Sequence, residues 1–207
     1  MFKQKFKAVF FDWDNTLVDA WPVLLKSTNE ALLHFGLPAL TLAEVKINAR
    51  ASTREGFPKQ FGEKWQEAQD VFYKAVHTYS NELRLYDGVA EKLELLKSAN
   101  YKVAIISNKK NKILHEEIKQ FNIPSDLVLG SGDTAYDKPH PEMGLIALNH
   151  FGLTSKEVIY VGDSITDWLF ASNLNMPAIA IGDDAYEGQL LARFDSVNQP
   201  IDILLAS

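Results

Sequence analysis

The chain contains no cysteine among its 207 residues. Disulfide frameworks and thiolate metal sites are therefore excluded, and the absence suits a reducing compartment. Positive charge is also in short supply: 21 Lys and Arg stand against 27 Asp and Glu, a formal net charge of -6. A phosphate backbone is held largely by basic side chains, so nucleic acid is not an expected partner. Long apolar runs are missing too. No segment approaches the roughly 20 apolar residues of a membrane span. At the amino terminus only Ala8 to Phe11 is continuously apolar before two carboxylates, too little for a secretory leader. The histidines, His34, His77, His115, His140 and His150, show no metal-ligand spacing. These absences lead us to expect a cytoplasmic chain with neither membrane nor nucleic acid as partner.

What is present is an ordinary globular composition, 46% hydrophobic and 23% charged, enough for a sizeable core. Phe6 to Phe11 is nearly continuously apolar and rich in strand formers, as a parallel strand buried on both faces should be. Tyr101 to Ile106, Val158 to Val161 and Ala178 to Ile181 are alike, and Asp126 to Leu129 is a shorter candidate. Between them lie helical patterns: Ala90 to Lys97 with Asp87 as expected N-cap, Asn111 to Phe121, Glu142 to Phe151 and Ile165 to Leu174. A short docking helix is expected over Ile201 to Leu205. The alternation predicts an α/β fold, a doubly wound parallel sheet with a Rossmann-like core. Residues 19–85 break the rule, with helical stretches at Val23 to Phe35 and Glu63 to Leu83 and no convincing strand. We expect them to form a small all-helical cap domain inserted after the first strand, leaving 1–18 and 86–207 as the core.

In an open parallel sheet, ligands bind beyond the carboxyl ends of the strands. The residues just past each apolar run are therefore informative. They are Asp12, Asp14 and Thr16 in FDWDNT, Ser107 and Asn108 in IISN, and Asp163 and Asp167 in VGDSITD. Lys138, in DKPHP, precedes the Glu142 helix. Singly, each has a plain reading: strand-end solvation, an N-cap, a loop lysine, acids in the first turn of a helix. Together they supply what phosphoryl transfer requires. Asp12 could attack phosphorus, and Asp14 could protonate the leaving alcohol and then activate water. Ser107 and Lys138 could hold phosphate oxygens, while Asp12 and Asp163 offer the oxygen ligands that Mg2+ prefers. GSGD at 130–133 lacks the spacing of a dinucleotide or P-loop motif and reads as a strand-to-helix turn. His140 is placed by sequence at the rim.

The order DxDxT, Ser, Lys, GDxxxD resembles the four motifs of the haloacid dehalogenase superfamily, specifically its phosphoglycolate phosphatase-like members with a helical type 1 cap. The likeness spans nearly the whole chain. It implies a Mg2+-dependent phosphatase acting on a small phosphorylated metabolite. In it Asp12 is the nucleophile, and Asp14 is the general acid/base with its main-chain carbonyl on the metal. Asp163 completes the metal site with Asp167 supporting it directly or through water, Thr16 sits in the loop that shapes the site, and Thr16, Ser107, the Asn108 backbone and Lys138 bind phosphate. Lys138 is expected to matter less to the integrity of the cluster than Asp163. One departure is Asn15, where the family commonly has Gly. A sugar-phosphate phosphomutase on the same core is the alternative, and a non-catalytic or phosphorelay module a more distant one. A monomer is the default assembly, with a homodimer the other option. In the cap, Lys46, Arg50 and Arg54 lie four apart, so on one continuous helix they would share a face and suit a second anionic group on the substrate. A solvated basic face is the plain alternative.

Overall fold

The computed structural model describes residues 5–49, 51–183 and 190–206. The chain forms two compact units, Met1–Leu17 with Leu85–Ser207, and Val18–Arg84.

The larger unit is built on strands β1 (Ala8–Phe11), β4 (Lys102–Lys110), β5 (Leu127–Ser131), β6 (Val158–Gly162), β7 (Ala178–Ile181) and β8 (Ala192–Phe194). Its helices are α5 (Val89–Ser98), α6 (Asn111–Gln120), α7 (Glu142–Phe151), α8 (Ile165–Asn173) and α9 (Asn198–Leu205). The strands form a six-stranded sheet in the order β5-β4-β1-β6-β7-β8. All its pairings are parallel. Helical crossovers cover both faces, which is why β1, β6 and β7 are buried at every position. Ala8, Phe10, Ile106 and Tyr160 pack on one face against Met143 and Ala147 of α7 and Phe170 of α8. Chain order runs outward from β1 to β4 and β5, then returns to β6 and continues to β7 and β8. The direction of winding reverses at β1, so the crevice at its carboxyl end is the topological switch point of the sheet.

The smaller unit contains α1 (Trp21–His34), α2 (Leu42–Asn48), α3 (Thr53–Phe61) and α4 (Trp65–Thr78). The short strands β2 (Val18–Asp19) and β3 (Arg84–Leu85) pair as a two-stranded sheet where the chain enters and leaves it. Helix α4 buries Ala68, Phe72, Ala75 and Val76, one stripe at helical period. Phe57 of α3 stacks edge-on against Phe72 at 5.4 Å between centroids.

Several details depart from expectation. β1 begins at Ala8, although Lys7 just before it already donates its N–H to the Glu157 carbonyl at 2.7 Å and accepts from Lys102 N–H at 2.9 Å. β4 runs on to Lys110, with an irregular register between Ile106 and Lys110. Asp87 does not cap α5; Gly88 occupies that position in a left-handed conformation, φ 74°, without a side-chain bond. The expected Glu63–Leu83 helix is α4 flanked by single 3-10 turns. Strand β8 follows no apolar run and had no sequence signal. Lys46 and Arg54 lie on different helices, α2 and α3, so the basic residues do not share one continuous helical face. Arg50 lies outside the described residues.

Candidate active site

The N–H of Asp12 donates to the Val161 carbonyl at 2.9 Å, carrying the β1–β6 ladder one residue past β1. The register sets Phe11 beside Ile105 of β4 and Val161 of β6. Asp12 and Asp163 thus follow β1 and β6 directly, and Ser107 lies within the adjacent β4 at nearly the same level, at the switch point. The turn that follows needs an unusual backbone, and Asn15 supplies it at φ 61°. Asn tolerates this left-handed region better than most residues, so it serves where Gly is common. Thr16 is fully buried beneath the turn, and its Oγ1 has no hydrogen-bond partner.

Lys138 is only 3% exposed, and a buried ammonium must be paired. Its Nζ donates to Asp12 Oδ1 and Asp167 Oδ1, both at 2.7 Å, and to Tyr160 Oη at 3.0 Å. All three donors of the ammonium are used. The loop that delivers Lys138 is clamped from β4: Asn108 Nδ2 donates to the Lys138 carbonyl at 2.8 Å, and Lys138 N–H donates to Asn108 Oδ1 at 2.7 Å. The Asn108 side chain therefore positions Lys138. Ser107 is buried, and its Oγ accepts from Lys109 N–H at 3.2 Å, leaving its own proton for a ligand.

Asp12, Asp163 and Asp167 bring carboxylate oxygens within 4.8 Å of one another. Three carboxylates against the one ammonium of Lys138 leave a formal charge of -2. The electrostatics register that surplus. Burial pushes the Asp12 carboxyl up to about 7; Lys138 opposes the shift and Asp167 adds to it. Burial, with Asp12 and Asp167 nearby, also holds Asp163 well above the carboxylate range. Burial disfavours the Lys138 ammonium, but Asp12 and Asp167 outweigh it and raise its pKa above the ordinary lysine value. An all-oxygen donor set with a twofold negative excess fits a hard divalent cation such as Mg2+.

Asp167 does two jobs at once. Its Oδ1 faces Lys138 and the Tyr160 hydroxyl, while its Oδ2 accepts from Ser164 N–H at 3.1 Å and Ser164 Oγ at 2.7 Å, closing the capping box of α8. VGDSITD is thus a helix start, as its plain reading expects. Gly162 makes room for it: a Cβ there would lie 2.4 Å from Asp167 Cγ. The Asp14 carboxylate is not in the group. It is tied to Lys109, whose Nζ reaches Asp14 Oδ1 at 2.7 Å. His140 accepts at Nδ1 from Glu142 N–H at 3.3 Å, at the start of α7. Asp133 Oδ2 accepts from Gly130 N–H at 2.8 Å, which closes the GSGD turn.

Three functional neighbours escaped sequence reading: Tyr160, Lys109 and Glu117. Each had a signal. Tyr160 is a hydroxyl inside an apolar central strand, VIYVG, and such a group needs a buried partner. Glu117 falls in the buried phase of α6, three residues after Leu114. Lys109 follows directly on Ser107 and Asn108 at the end of β4.

The family profile of haloacid dehalogenase-like hydrolases matches residues 9–181. This chain belongs to that family. A phosphoglycolate phosphatase of Xanthomonas campestris is 30% identical over 96% of this chain and 91% of its own length. Another, from Haemophilus influenzae, is 32% identical over 79% of this chain and 80% of its own. A haloacid dehalogenase-superfamily hydrolase from Ehrlichia chaffeensis superposes with a TM-score of 0.69 at 28% identity, covering 99% of this chain and 98% of that one. A family hydrolase from Streptococcus pneumoniae shares the fold at a TM-score of 0.82 and 20% identity, with 96% and 98% covered. This haloacid dehalogenase-like hydrolase has no helix, among the described residues, long and apolar enough to cross a membrane.

Proposed function

We propose that this chain is a Mg2+-dependent cytoplasmic phosphatase that hydrolyses a small phosphate monoester through an aspartyl-phosphate on Asp12. The observation that carries the reading is the buried Asp12–Lys138–Asp167 bridge beside Asp163, a negative excess that a divalent cation would neutralise so that an anionic ester could then approach. The site residues act as follows. Lys138 fixes Asp12 Oδ1, and a carboxylate oxygen of Asp12 attacks phosphorus as the P–O bond to the alcohol breaks. Asp14 gives its proton to the leaving oxygen. Ser107 Oγ donates to a phosphoryl oxygen, and Lys138 offsets its charge. Asp14 then takes a proton from water as that water attacks the phosphorus, which frees inorganic phosphate and regenerates Asp12. Asp12 and Asp163, with the Asp14 carbonyl and support from Asp167, would hold Mg2+, which supplies positive charge where the phosphoryl oxygens gather.

The names of the relatives point to phosphoglycolate as the first ester to try, an acid carrying a second anionic group. Arg54, in the first turn of α3, is the residue of the helical unit we assign to that second group. The test is phosphate release from a panel of esters, with Mg2+ and with excess chelator, run beside Asp12→Asn. Release that needs both Mg2+ and Asp12, and that favours acidic over neutral esters, is the expected result. Turnover that survives Asp12→Asn refutes the mechanism.

A further inference from the structure

Asp14 must present its carboxyl to a leaving oxygen, yet it sits on a turn, where a short side chain has rotameric freedom. The structure shows what restrains it. Lys109 Nζ bridges Asp14 Oδ1 at 2.7 Å and Glu117 Oε2 at 2.6 Å. Glu117 Oε2 also accepts from Trp13 Nε1 at 2.6 Å. The Lys109 and Glu117 side chains are 9% and 7% exposed, against 20% for Asp14. Trp13 is fully buried and packs against Phe121, with ring centroids 6.3 Å apart. The anchor therefore begins in the core, passes through two charged groups held in fixed geometry, and ends on the more exposed carboxylate. Glu117 comes from α6, Lys109 from the end of β4, and Trp13 from between the two aspartates themselves. Packing would tolerate an apolar residue in the phase of α6 that Glu117 occupies; a carboxylate there has to be held by Lys109 and the indole N–H.

We infer that Glu117 and Lys109 are positioning residues for Asp14: a relay anchored on Trp13 holds one Asp14 oxygen and leaves the other to exchange a proton with the leaving group and then with water. The inference rests on the phosphatase reading of Asp12 and Asp14. It assigns no chemistry to Glu117 or Lys109 beyond orientation, and it separates a role in catalysis from the simpler role of pinning α6 to β4.

Leaving-group dependence distinguishes the two. An alkyl phosphate needs a proton on its departing oxygen, whereas nitrophenolate leaves without one; the later attack of water uses Asp14 for both esters, so the distinction is read in kcat/KM, which ends at departure of the alcohol. Lys109→Met, which keeps the length of the side chain, should lower kcat/KM on the best alkyl ester by about 10- to 100-fold. On p-nitrophenyl phosphate the loss should stay within about threefold, since general-acid help is not needed there. Glu117→Gln, which keeps an oxygen to accept from Trp13 and disturbs folding less, should give a smaller loss of the same selectivity. Lys109→Arg retains a cation that can bridge both carboxylates and should restore most of the alkyl-ester rate. Thermal unfolding is followed in parallel. Equal losses on both esters that track the melting temperature, or no loss at all, overturn the positioning role while leaving the phosphatase reading intact. A wild-type protein that releases phosphate from neither ester overturns that reading, and this inference with it.

Discussion

Replacing Asp12 by Asn should make the metal-free protein more stable while abolishing turnover. The substitution keeps Oδ1 as an acceptor for Lys138 and removes one of three carboxylates crowded within 4.8 Å. The size of the effect follows from the Asp12 carboxyl, whose pKa rises from 3.8 to about 7 on burial. A folded-state pKa above the unfolded one means that the folded protein holds the proton longer. Stability from this group is complete below the unfolded value and is lost as pH climbs through the folded one. At about 1.4 kcal/mol per pH unit, the ionised carboxylate costs on the order of 4 kcal/mol once the pH is well above 7. The gap between Asp12→Asn and wild type should therefore widen by about 2–3 kcal/mol between roughly pH 5 and pH 8. For a chain of this length that is about 5–10 °C in melting temperature. Thermal unfolding of both proteins in chelator, across that pH range, reads it directly. Adding Mg2+ should close the gap from the wild-type side, by about 2.7 kcal/mol at a hundredfold excess over Kd, because the full carboxylate set binds it better. A gap that stays constant or shrinks as pH rises would refute the charge-crowding argument.

Lys138→Met leaves Asp12 and Asp167 buried without their cation and should cost about 3–5 kcal/mol, the range for breaking a buried ion pair. Asp163→Asn, by contrast, should be neutral or stabilising without metal, since Asp163 makes no hydrogen bond to Lys138 and its repulsion with Asp12 and Asp167 outweighs that attraction. This order, read from unfolding temperatures in chelator, is the opposite of what the family resemblance implies. Gly162→Ala should cost about 1–3 kcal/mol as an overpacking change. It should also remove most phosphatase activity, because the added methyl would push Asp167 off Lys138, Tyr160 and Ser164. A fully active, fully stable Gly162→Ala protein would show that the Asp167 position is not required.

The sheet was legible because buried parallel strands are written as unbroken apolar runs, and AVFF, VIYV and AIAI are three of them. Strand β8, ARF, was not legible because a half-buried edge strand of three residues carries almost no pattern. The site positions were legible for a topological reason: residues past strand ends must converge in a doubly wound sheet, whatever their identity. How the side chains divide the work was not. The Asn108 side chain closes on the Lys138 backbone, apart from the role expected of its main chain at the phosphate; no local signal announces a partner 30 residues away. The expected shared face of Lys46 and Arg54 failed for a different reason. A spacing of four implies a shared face only if the helix is continuous, and Ser52 begins a new one.

The two aspartates of FDWDNT leave the same turn and meet different fates, and the difference can be traced to what each lysine is anchored to. Lys138 ties Asp12 to Asp167 at the start of α8, and Lys109 ties Asp14 to Glu117 inside α6. Each lysine thus joins one aspartate of the motif to a carboxylate fixed by a helix, so both aspartates inherit the rigidity of the packed layers rather than the looseness of the turn. The side chains they fix differ in exposure, 9% for Asp12 and 20% for Asp14. The more buried one is crowded by Asp163 and Asp167, where a cation would relieve the charge. The more exposed one stands outside that crowd, where a leaving alcohol and then a water can reach it. A nucleophile that must stay ionised beside a metal and a proton carrier that must meet solvent in turn have opposite environmental needs. Trp13 between them meets both: its indole N–H anchors Glu117, and its ring is buried in the core.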